Sequence, residues 1–239
     1  GLQRTRRPSI FTMDSKNETK VSATEEVLRS IRGVLKCPMM YVLVVTWLAF
    51  CYNYDIFFST IVDFAMDKGM ELEDTVSFIT YTSITDLLGR VVLPILTDRG
   101  LLQQSTLMTL NYFLLGLCGV SLPFCESYWA LLVASLGVAL FLGCAITMQS
   151  VLMAQYLGIE KLAVGYSVLG ALCGPALLGK APFVGFFRDD LGSYNEMFWV
   201  LGSFSFFVSV QWAFVSLIDR QRVRKWQPDI AHTCSGQKT

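Results

Sequence analysis

The chain reads as an all-α membrane protein of six transmembrane helices, and three observations predict it. Charged residues make up only 16% of the 239 residues and hydrophobic ones 53%, with a mean hydropathy of +0.49; soluble domains carry about a quarter charged residues. The apolar residues gather in six stretches, at about 39–63, 74–97, 105–124, 127–156, 162–187 and 194–218. Each is long enough for the roughly 20 helical residues that cross a hydrocarbon core. Lys and Arg, finally, fall almost wholly on one side of a six-span thread.

Residues 1–36 hold 12 of the 38 formal charges. The run SIFTMDSKNETKVSATEE is too polar to bury the apolar surface that ordering requires, so a largely disordered lead-in is expected there. Within it, 25–36 (EEVLRSIRGVLK) has apolar residues at 27, 28, 31, 34 and 35, the spacing of a short amphipathic helix lying at the membrane surface. The six-helix bundle then occupies 37–219 and a polar tail 220–239. The stretches are too long for strands and do not alternate, and an open sheet leaves its backbone unsatisfied in lipid. The chain opens on Gly1 and reads as a piece of a longer protein.

Orientation follows from the cations. The lead-in, the 98–104 and 157–161 connectors and the tail carry fifteen of the nineteen Lys and Arg; the opposite connectors carry Lys68, Lys180 and Arg188, and Arg90 lies within a span. The positive-inside rule places both termini in the cytoplasm, and a multi-pass protein of the plasma membrane is expected.

Several function classes fall away. A net charge of zero argues against nucleic acid as a partner. Cys51, Cys118, Cys144 and Cys173 lie in apolar runs, where a thiol behaves as a small hydrophobe. The one histidine, His232, stands in the tail beside Cys234 without metal-ligand spacing. No metal or cofactor is expected, and no His, Cys and Ser constellation suggests an enzyme.

The second stretch contains Asp86 and Arg90, which at i and i+4 stack on one helical face. Counted from Asp74, they lie about 18 and 24 Å along the helix. An isolated charge at such depth costs about 2.5–3.5 kcal/mol or more, so the pair should face the bundle interior. It is either a structural clip or a site where the guanidinium takes a substrate carboxylate and the aspartate a proton; intramembrane charge favours the second reading. Asp55 and Asn53, in the CYNYD run of the first stretch, are candidates to line an outer vestibule or to form an interfacial aromatic cluster.

Two further segments suggest moving or close-packed backbone. In Gly89–Gly100 (GRVVLPILTDRG), Pro94 should bend the helix and Asp98-Arg99-Gly100 should form a tight cytoplasmic turn, its carboxylate placed to cap a helix or pair with a cation. In the fifth stretch Gly170 and Gly174 make a GxxxG step beside Pro175, the pattern of close helix packing.

Taken together, these residues resemble the C-terminal half of the monocarboxylate transporter family, within the major facilitator superfamily. Asp86-Leu-Leu-Gly-Arg90 is similar to the family's Asp/Arg pair, and Gly89-Arg90 with Asp98-Arg99-Gly100 resembles the superfamily's loop motif. AVGY (163–166), Gly174-Pro175 and VGFFRDDLGSYN (184–195) resemble the end of the family's penultimate helix, with Gly185, Asp189, Gly192 and Tyr194 in register. The resemblance implies a twelve-helix fold in two halves with substrate between them, of which this chain supplies six helices. It implies transport of small monocarboxylates, commonly with a proton, with Arg90 binding the anion and Asp86 coupling the proton. The implied partners are a small organic anion, a proton, the bilayer and an N-terminal six-helix half; a single-span accessory subunit is left open. A proton-independent facilitator of an amphipathic solute such as an aromatic amino acid, or a non-transporting receptor or scaffold, are the alternatives.

Overall fold

A computed structural model describes residue 25 and residues 28–235, with backbone alone at 72–74, 76 and 222–235. The expected disorder of 1–24, and any role of His232 or Cys234, therefore lie outside the described residues and side chains. A short helix, α1 (28–35), is followed by α2 (Pro38–Asp67), α3 (Leu72–Asp98), α4 (Gln104–Ser121), α5 (Tyr128–Leu157), α6 (Leu162–Leu178), α7 (Lys180–Gly185) and α8 (Asn195–Ser235). Among the described residues six spans are long and apolar enough to cross a membrane: Pro38–Asp67, Ser77–Asp98, Gln104–Phe124, Tyr128–Leu157, Ile159–Asp190 and Asn195–Gln221. This is an all-helical, six-span bundle, the helix count of one half of a major facilitator fold.

Local sequence accounts for the element ends. Pro38 opens α2, where its missing N–H costs nothing. Gly158, at φ +86°, ends α5, and Gly100, at φ +70°, makes the turn after α3. The fifth span is broken: α6 stops at Leu178 and α7 starts at Lys180, because Pro182 has no N–H to offer the carbonyl of Leu178. A wide π turn, Phe186–Asp190, then closes the span.

The core lies between α2, α4, α5 and α8, where Trp212, Tyr112, Phe57, Met108 and Ile61 are inaccessible. Polar side chains bridge these helices: Trp212 Nε1 donates to Thr46 Oγ1 at 2.9 Å, Tyr112 to the Thr46 carbonyl at 3.1 Å and Gln149 to the Leu43 carbonyl at 3.2 Å. Between apolar helices in lipid, such bonds and close packing hold spans together, since lipid tails are as apolar as leucine. The α3 and α6–α7 spans lie at the margin of the bundle, with only 17% and 22% of their apolar stretches buried.

The GxxxG step does not pack within this bundle: a methyl group added at Gly170 or Gly174 meets nothing within 4 Å, and Pro175 is exposed. Other glycines do permit close approach, among them Gly116 and Gly202 between α4 and α8 and, most tightly, Gly89 and Gly143. A Cβ at Gly89 would collide with the Leu140 carbonyl oxygen, and one at Gly143 with that of Asp86, so α3 and α5 cross backbone to backbone. The lead-in helix packs its apolar side on the bundle: Val34 is 1% exposed, and Ile31 and Leu35 lie against the core.

Candidate functional site

The tight α3–α5 crossing is where the charges sit. Gly89 lies between Asp86 and Arg90, and Gly143 of the facing helix abuts the Asp86 carbonyl and the Arg90 amide. Arg90 donates from Nε to Asp86 Oδ2 at 3.0 Å, and its terminal nitrogen lies 2.8 Å from the same oxygen. Both contacts fall on one carboxylate oxygen. Asp86 Oδ1 is buried and has no hydrogen-bond partner among the described residues. The two members are unequally covered: the Asp86 side chain is 9% exposed and that of Arg90 35%. The pair thus presents a cation outward and keeps an acid behind it. In the span Ser77–Asp98 each residue lies within about 4 Å of mid-helix, at 1.5 Å per residue.

An orphaned carboxylate oxygen in a buried place is costly unless something satisfies it. The guanidinium, already partly exposed, is suited to bidentate recognition of a carboxylate.

The vestibule candidates divide. Asn53 does not line an open surface: it is buried, donates to the Ala49 carbonyl at 2.8 Å and accepts from Ser205 Oγ of α8 at 3.5 Å. Asp55, two positions on, points away from α8, with its side chain half exposed, and is paired through Oδ2 with Lys180 at the α6–α7 break. Beyond it, Arg188 of the π turn reaches Asp63 Oδ2 at 2.6 Å and also bonds the Tyr194 hydroxyl. Tyr52 donates to the Ala176 carbonyl at 2.7 Å, beside the same break. The broken span is thereby clipped to α2 by these side-chain contacts, to which Cys173 Sγ adds a bond to the Val44 carbonyl at 3.7 Å. Sequence reading counted Lys180 and Arg188 as connector cations and missed their partners. The signal was present, since Asp55 and Asp63 share the spacing of Lys180 and Arg188, each pair standing 125 residues apart.

In the loop segment, Pro94 stands inside a continuous α3, and Gly100 takes the left-handed turn that closes it. Asp98 and Arg99 are exposed, and α4 begins without a side-chain cap. At the other end, Gly192 turns at φ +68° and buries Tyr194 at 3% exposure.

No protein-family model matches the chain. Curated relatives do. Mouse monocarboxylate transporter 12 is 25% identical over 192 residues, 80% of this chain and 40% of the relative. Its human counterpart is 27% identical over 188 residues, 78% of this chain and 36% of the relative. Mouse monocarboxylate transporter 10 is 28% identical over 159 residues, 65% of this chain and 30% of the relative. The chain spans about 40% or less of the length of these relatives. With six membrane-length helices and alignment over most of its length, the chain is a homologue of the monocarboxylate transporters of the major facilitator superfamily.

Proposed function

We propose that this chain forms one half of a transporter that carries small monocarboxylates with a proton, by alternating access, across the plasma membrane. A second six-helix half would close the path, and both ends of this chain would lie in the cytoplasm. The observation that carries the reading is the mid-span pair in which one Asp86 oxygen is buried without a partner among the described residues while Arg90 is partly open. A proton on Asp86 weakens its attraction for Arg90, the freed guanidinium binds the anion, and the two cross with no net charge moved. The names of the relatives support a carboxylate as cargo. Uptake by the full protein in vesicles of clamped internal and external pH tests the proposal with Arg90→Lys and Asp86→Asn. Each should lose uptake at least tenfold with normal membrane abundance. Wild-type uptake that ignores external pH would instead describe a facilitator without proton coupling.

A further inference from the structure

A groove of about 590 Å³ lies between α2 and α8. Pro38, Met39 and Val42 form one wall, and Phe207, Val210 and Phe214 the other. Phe207, Val210 and Phe214 are each 59% or more exposed, so no described part of this chain covers them. From Phe207 to Asp219 the groove follows α8 for twelve residues, about 18 Å. Asp219 stands two residues from the end of the span Asn195–Gln221, and Phe207 near its middle. The groove is therefore one leaflet deep, since half a hydrocarbon core is roughly 15 Å.

The composition of α8 suits a lipid-facing groove. No charged residue occurs between Met197 and Ile218, whereas the ion pairs lie on α2, α3 and the broken span. Asp219, at the groove's end, accepts a hydrogen bond from the Tyr156 hydroxyl at 2.7 Å.

The end that carries Pro38 is basic. The short helix α1 lays Ile31, Val34 and Leu35 on the bundle. It leaves Arg29 and Arg32 exposed at i and i+3, with Lys36 exposed in the turn that follows. Lys36 precedes Pro38 of the groove wall by two residues, at most about 7 Å of chain. Arg220, Arg222, Arg224 and Lys225 add four cations to the sequence at the same end of α8. Basic residues on an amphipathic helix beside a span are the chemistry that holds anionic lipid headgroups.

We propose that the groove and the α1 cations together bind an anionic phospholipid of the cytoplasmic leaflet. One acyl chain lies between α2 and α8, and Arg29, Arg32 and Lys36 hold the headgroup. A soluble anion would use only the cations, and a neutral lipid only the groove. The site relies on the orientation proposed above and is independent of the cargo.

The test is lipid binding by the full protein in detergent, counted by native mass spectrometry during titration with dioleoylphosphatidylserine or dioleoylphosphatidylcholine. A cation beside an anionic headgroup contributes about fivefold in affinity, so wild type should bind the serine lipid at least about tenfold more tightly. Arg29→Gln, Arg32→Gln and Lys36→Gln combined should bring the two lipids level. Val210→Trp, which fills the groove from an exposed position, should weaken both lipids and keep the preference. Glycerophosphoserine, which has no chains, should leave the bound lipid in place. Equal binding of the two lipids by wild type overturns the proposal. So does displacement by glycerophosphoserine at matched concentration. Binding unchanged in Val210→Trp also overturns it, and is the result expected if a second protein half covers the groove.

Discussion

The two marginal spans, α3 and α6–α7, are attached to the bundle in different ways. The α3 span is continuous and lies against α5 by backbone contact at Gly89 and Gly143, with its ion pair contained within one helix. The fifth span is broken and held to α2 by side chains: Lys180 on Asp55, Arg188 on Asp63 and Tyr52 on the Ala176 carbonyl. The first attachment depends on shape and fixes helix position closely, because a packed interior yields little. The second depends on long side chains, which can exchange partners and let the segment shift.

Substitutions should separate the two attachments, beginning with the largest effect. Gly143→Leu drives a side chain into the Asp86 carbonyl and should cost about 3 kcal/mol, at the upper end for overpacking. Thermal unfolding in detergent should record it, and an unshifted midpoint would mean that α3 and α5 do not touch there. Tyr52→Phe removes one hydrogen bond to the broken span and should cost about 1 kcal/mol. Its mark should be faster amide exchange in α6 and α7, with α3 unchanged; faster exchange throughout would show that the clip is not local. Gly170→Ala fills open space and relieves a helical glycine, so stability should hold or rise by up to about 1 kcal/mol. A fall in stability there would place an unseen contact on the GxxxG step.

What the sequence made legible follows from what lipid demands. A span needs about 20 apolar residues, and charge is scarce enough to make Asp86 and Arg90 conspicuous. Their pairing was readable because i and i+4 share a helical face whatever the surroundings. Helix rotation was not readable. In water the apolar face marks the inside, but in lipid the outside is apolar too, so Asn53 and Asp55 gave no sign of which faced α8. The same reason hid Gly143, since small residues mark close approach only where a partner helix lies opposite. Lys180 and Arg188 found their acids across the bundle, where chain order says little beyond a matching spacing.

The central claim is that Arg90, held by a buried and half-satisfied Asp86, is one wall of a carboxylate site. The most direct measurement is pH-clamped uptake of a labelled monocarboxylate by vesicles holding equal amounts of wild type, Arg90→Lys and Asp86→Asn. The account predicts at least a tenfold loss in each variant. Wild-type rates in both, at matched abundance, would contradict it and leave the pair a structural clip.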